Sequence, residues 1–116
     1  MQTVEQEIQT KGLTAPRVTP AMIEDAIKAT YYFRASDGVE FADANQCSDV
    51  ADWQSMRLLT FCVLVLANGF TVTGESACAS PENYDEAIGR RIAKTNAMAK
   101  IWPLLGYELK TKLTAG

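Results

Sequence analysis

The 116-residue sequence predicts an α+β fold: an N-terminal helix, a central β-hairpin around Asn68-Gly69, and a long C-terminal helix from Pro81 that is kinked at Pro103. Three observations carry this reading. Asn68-Gly69 separates two apolar runs, residues 58–66 and 70–73, and Asn-Gly between such runs is the strongest short-range hairpin signal. Thr19-Pro20 and Ser80-Pro81 each place an N-cap residue before a proline at the first helical position, where the missing N–H costs nothing. Beyond Tyr84, apolar side chains recur at helical spacing as far as Trp102.

Residues 1–17 are polar, with Val4, Ile8 and Leu13 as spaced apolar positions, and form an N-terminal segment that frays or holds a short helix. Residues 18–113 form one α+β domain, the size of a single core. A helix starts at Pro20 and ends near Phe33, its apolar stripe running through Met22, Ile23, Ala26, Ile27, Thr30 and Tyr31. Ser36-Asp37-Gly38 is turn chemistry, and residues 39–53, with four acidic side chains and no periodicity, read as a loop. That is long for a compact domain, and a short helix over residues 49–56 shortens it.

A two-residue type I′ loop at Asn68-Gly69 makes cross-strand partners of residues whose numbers sum to 137, such as Val65 with Val72 and Leu59 with Cys78. One face then collects Leu59, Phe61, Val63, Val65, Phe70, Val72 and Cys78. The other carries Leu58, Thr60, Cys62, Leu64 and Leu66 opposite Thr71, Thr73 and Glu75, so the first strand is apolar on both sides and belongs at the centre of the sheet. The competing reading is a buried helix over residues 56–66 with Asn68-Gly69 as its C-cap. In the last helix, Glu82, Asp85 and Glu86 complement the dipole of the first turns, and Tyr84, Ile88, Ile92, Thr95, Ala99 and Trp102 trace the apolar stripe. Beside it, Gly89, Ala93 and Ala97 leave a smooth strip that suits close packing against the sheet or a subunit contact. Pro103 breaks or kinks the helix, and Tyr107, Leu109 and Leu113 belong to a last short helix folding back.

Chemistry is narrowed mostly by what the composition lacks. There is no histidine, and Cys47, Cys62 and Cys78 form no CxxC pair, so neither a zinc site nor a disulfide framework is expected, and the thiols read as buried. Gly74-Glu75-Ser76-Ala77-Cys78 resembles a GxSxG nucleophile elbow, but its last position is cysteine and no imidazole can act as base. Asp85 and Glu86 are explained as helix-start charges, so no catalytic residues, cofactor or metal are assigned and the chain is not expected to be an enzyme. No signal pattern or run of about 20 apolar residues appears, which points to the cytoplasm and away from a membrane.

Charge is segregated: residues 1–88 carry a net −8 and residues 89–116 a net +5. The overall −3 argues against double-stranded DNA as a partner. Arg90, Arg91, Lys94 and Lys100, with Tyr31, Tyr32, Trp102 and Tyr107, nevertheless combine charge and stacking surface suited to a nucleotide, a single strand or a protein partner. An exposed, internally paired helix face, Glu86 with Arg90 at i,i+4, accounts for the same residues without a ligand.

The segment Leu59-Thr60-Phe61-Cys62-Val63-Leu64-Val65-Leu66-Ala67-Asn68-Gly69-Phe70-Thr71-Val72-Thr73-Gly74-Glu75-Ser76-Ala77-Cys78, followed by Pro81-Glu82-Asn83-Tyr84-Asp85, Ile88-Gly89-Arg90-Arg91-Ile92-Ala93 and Ile101-Trp102-Pro103-Leu104-Leu105-Gly106-Tyr107, resembles the gene-product-49/66 family of tailed phages and prophages. The likeness covers about half the chain, with a weaker echo over residues 18–33. It implies a phage accessory product acting in the cytoplasm of the infected bacterium, and it carries over no catalytic or binding residue. The expected function is therefore non-enzymatic binding of a host protein, with self-association into a homo-oligomer. The alternatives are sequestration of a nucleotide signal of host defence, and nucleic-acid binding.

Overall fold

The computed structural model describes residues 2–115, and its centre is a three-stranded antiparallel sheet in the order β1-β2-β3, with β1 at Ile27–Arg34, β2 at Leu59–Leu66 and β3 at Thr71–Ala77. The hairpin and the central position of β2 are as expected, and the buried helix over residues 56–66 is excluded. The third strand was not foreseen. The helix begun at Pro20, α2, stops at Ala26, and residues assigned to its second half form β1. Tertiary pairing overrides the helical spacing: Thr30-Tyr31-Tyr32-Phe33 is rich in residues suited to a pleated surface, and β2 offers them an open edge. Tyr32 pairs with Cys62, Phe33 with Phe61 and Arg34 with Thr60.

Register is the second correction. Leu64 pairs with Val72 and Leu59 with Ala77, so partner numbers sum to 136. Leu66 and Phe70 close the loop through the Leu66 N–H on the Phe70 carbonyl at 2.8 Å, leaving Ala67, Asn68 and Gly69 in a three-residue turn. Gly69 has φ +89° whereas Asn68 is not left-handed, which rules out the I′ geometry and fits a type I turn closed by a left-handed glycine. A slip of one residue exchanges faces along a paired strand. The buried face thus consists of Thr60, Cys62, Leu64 and Leu66 with Val72 and Gly74, while Leu59, Phe61, Val63 and Val65 are only half-buried on the other.

The buried face is covered by α5, Glu86–Ala99. It lies down on Gly89, Ala93 and Ala97, all buried, and Asn96 Nδ2 donates to the Glu75 carbonyl at 2.8 Å. The small strip is therefore taken up by the sheet and is not free for a subunit contact. The isoleucine stripe faces outward, with Ile88 47% and Ile92 45% exposed, because a helix lying this close to a sheet has no room for branched side chains beneath it. This helix starts at Glu86 and not at Pro81: Ser80-Pro81 opens only a 3₁₀ turn, Pro81–Asn83, with no side-chain cap, and Asp85 accepts from the Ile88 N–H at 2.9 Å as the working N-cap. The kink is present, with the break at Lys100. Proline at 103 cannot donate to the Ala99 carbonyl and its ring crowds that position, so α5 ends at Ala99 and α6, Ile101–Thr114, continues as one helix with no separate last turn folding back.

Short helices complete the chain. Thr3 and Gln6 form a capping box for α1, Val4–Thr10, and Arg17 ties it down through two 2.8 Å bonds to Glu5, whose carboxyl they hold below its ordinary pKa. The expected long loop is helical at both ends and irregular over residues 43–49. Ser36-Asp37-Gly38 lies inside α3, Ala35–Ala42, and the anticipated short helix is α4, Val50–Met56, capped by Asp49. Among the described residues, no helix is long and apolar enough to cross a membrane.

Candidate functional site

Side chains that alternate along β1 decide which aromatics meet the basic helix. Tyr32 shares a pair with Cys62 and so points to the α5 side, whereas Tyr31, paired with Val63, lies on the opposite face. On α5, positions 90 and 94 fall on the flank next to β1. Arg90 is held there twice, by Glu86 one turn back at 2.7 Å and by the Tyr32 ring 5.2 Å below its guanidinium. Tyr32, Glu86, Ala87, Arg90, Arg91 and Lys94 line an open groove of about 590 Å³. Of the eight residues expected at a ligand or partner surface, the structure brings together Tyr32, Arg90, Arg91 and Lys94. Lys100, Trp102 and Tyr107 lie at the α5–α6 junction and along α6, and do not line the groove.

Behind the groove lies a narrower slot of about 160 Å³, which shares Tyr32, Glu86 and Arg90 with it and is closed by Arg34, Thr60 and Tyr84. Arg34 reaches Asp37 at 3.3 Å and lies 6.0 Å from the Tyr84 ring centre. Thr60 is 2% exposed, and neither its hydroxyl nor that of Tyr84 has a hydrogen-bond partner in the protein. An unsatisfied buried hydroxyl costs about 1–3 kcal/mol, so two in one slot are a feature to be explained. Room for Thr60 comes from the helix above: a Cβ on Gly89 would stand 3.2 Å from Thr60 Oγ1. Sequence reasoning missed Arg34, Thr60 and Tyr84. The one signal was Thr60 itself, a hydroxyl within the apolar run of β2.

Burial raises the Tyr32 phenol above its ordinary pKa, helped by Cys62 and opposed by Arg90, and burial raises the Cys62 thiol against the opposite pull of Lys94. Cys62 is buried as expected, whereas Cys47 and Cys78 are half-buried; all three are free thiols. Among the described residues, no three of the Cys, Asp and Glu side chains converge where they could hold a metal ion.

A three-stranded sheet backed by one helix, with a basic, aromatic-walled groove along one flank, defines a small α+β protein. Residues 18–113 match the phage protein (N4 Gp49/phage Sf6 gene 66) family, and the chain belongs to that family. No curated protein and no solved structure matches it.

Proposed function

We propose that this phage protein is a non-enzymatic accessory factor that works by protein contact in the infected bacterial cytoplasm, pairing with a second copy of itself and engaging a host component. The observation that carries this reading is the surface left open. The chain exposes 8244 Å², against about 6,200 Å² for a folded monomer of 12.7 kDa. The excess of about 2,000 Å² is more than the roughly 800 Å² per partner that a stable complex covers.

Part of the open surface is the side of the sheet away from α5. An antiparallel sheet with one wet face alternates apolar and polar side chains, but β2 turns Leu59, Phe61, Val63 and Val65 outward. On β1 beside them, Tyr31 is 60% and Phe33 41% exposed, and Phe33 stacks on Phe61 at 5.3 Å. Glu75 is the one charged residue of β2 and β3 on that face. A second copy fits, because a two-fold axis sets the patch against itself and two sheets pack face to face through interdigitating apolar side chains. The host component is assigned to α6, which rests on α2 and α5 and presents Trp102 and Tyr107 outward.

Sedimentation equilibrium tests the pairing: twice 12.7 kDa is expected, with the single-chain mass restored by Tyr31→Glu together with Val63→Glu. Trp102→Ala with Tyr107→Ala should leave the pair intact and remove a host protein from quantitative capture. A single-chain mass for the native protein, or a pair indifferent to the sheet-face changes, overturns the pairing; turnover of a metabolite by the purified protein overturns the non-enzymatic reading.

A further inference from the structure

The slot and the groove differ in charge, and the difference fixes what each can hold. Inside the slot, Arg34 is matched by Asp37 and Arg90 by Glu86, so the walls are neutral as a whole. Two residues of those walls, Thr60 and Tyr84, carry buried hydroxyls without a hydrogen-bond partner, next to the Tyr32 side chain in the same lining. Such a lining suits an uncharged group with its own donors and acceptors and a flat face. It does not suit an apolar group, which would leave both hydroxyls orphaned. Outside, Arg91 and Lys94 have no carboxylate within ion-pair distance among the described residues, and both line the groove, which shares Tyr32, Glu86 and Arg90 with the slot. Two unmatched cations beside a neutral pocket suit a dianion. The groove's volume of about 590 Å³ falls in the roughly 300–1,000 Å³ range of small-ligand sites.

We propose that this joined cleft is a binding site for a small phosphorylated metabolite, its polar planar or sugar head in the slot on Thr60 and Tyr84 and its phosphate in the groove on Arg91 and Lys94. The site lies on the α5 side of the sheet, away from the face assigned to self-association, so it stands or falls separately from that reading. A ligand entering head first brings hydrogen bonds to both hydroxyls, and its phosphate meets the cations without having to displace Glu86 from Arg90.

The experiment is isothermal titration of the full chain with UMP, AMP, ribose 5-phosphate, uridine and inorganic phosphate, each to about 1 mM. At least one phosphorylated compound should bind, and roughly ten-fold more tightly than uridine or inorganic phosphate alone. Thr60→Val and Tyr84→Phe should each weaken it by roughly ten-fold, the second serving where the first perturbs folding. Arg91→Ala with Lys94→Ala should remove the advantage of the phosphorylated compound over its unphosphorylated counterpart. Heat from none of the five, or binding untouched by the hydroxyl and cation changes, overturns the proposal. So does salt-sensitive retention of a single-stranded oligonucleotide with no binding of the mononucleotides, which would make the groove a nucleic-acid surface.

Discussion

Gly74 of β3 lies against Ala97 of α5 so closely that a Cβ at position 74 would stand 2.9 Å from the Ala97 Cα, and nearer still to the Ala97 nitrogen and the Ala93 carbonyl oxygen. The atoms in the way are backbone and cannot swing aside. This one approach sets the height of the helix over the sheet, and with it the inward turn of Gly89, Ala93 and Ala97 and the outward turn of Ile88 and Ile92. Gly74→Ala should therefore cost about 1–3 kcal/mol, read from urea unfolding, whereas Gly106→Ala, in α6 with open space around it, should gain up to about 1 kcal/mol. Equal stability of the two variants would contradict the packing.

At the hairpin tip the strain is conformational and not steric. Gly69 has φ +89° and nothing within 4 Å of the place a Cβ would take, so Gly69→Ala loses only the freedom to be left-handed. A cost of about 1 kcal/mol is expected, and Gly69→Asn should recover part of it, both read from urea unfolding. A type I′ loop would make Asn68 equally sensitive to β-branched replacement; in the observed turn, Asn68→Val should lose chiefly the 2.9 Å bond that Asn68 Oδ1 accepts from the Phe70 N–H.

These two glycines show how far the sequence could be read. Asn68-Gly69 announced the reversal, and the apolar alternation of β2 announced a central strand. The register depended on whether Asn68 and Gly69 both took a left-handed conformation or Gly69 alone did, which composition does not distinguish. The change from α2 to β1 at Ile27 was hidden because Met22, Ile23, Ala26 and Ile27 keep helical spacing up to the point where pairing with Leu66 takes over. The basic flank of α5 was legible as a run of charges, and Tyr32 as its aromatic neighbour. The slot was not, since Arg34, Thr60 and Tyr84 come from three separated segments and meet only through the sheet register.

Alkali should weaken the fold in two stages. Burial raises the Cys62 thiol above its ordinary 9.0 and the Tyr32 phenol above its ordinary 10.0, so the folded chain holds both protons more tightly than the unfolded one. The stability linked to each group is complete below its unfolded pKa and is lost as pH rises through the folded value. Unfolding free energy measured against pH should fall from about pH 9 upward. Cys62→Ala should flatten the onset of that fall and Tyr32→Phe its later part. A slope unchanged in both variants would place the titration elsewhere.

The start of α5 offers a comparison between two aspirant caps. Ser80 precedes a proline and has the better sequence signature, but it makes no side-chain cap bond and leads only into the 3₁₀ turn. Asp85 accepts from the Ile88 N–H at 2.9 Å and places its charge at the positive end of a 14-residue helix. Asp85→Ala should cost about 1 kcal/mol and Ser80→Ala well under half of that, with Asp85→Asn close to native because the cap bond survives without the charge. The loss should also reach the slot. Glu86 is the first residue of α5, and its 2.7 Å pair with Arg90 holds that guanidinium over Tyr32. Fraying of the first turn in Asp85→Ala would release Glu86 and let Arg90 swing toward the groove. Amide exchange should accelerate at residues 88–90 and stay slow at Ala93 and Ala97, which remain pinned by the sheet.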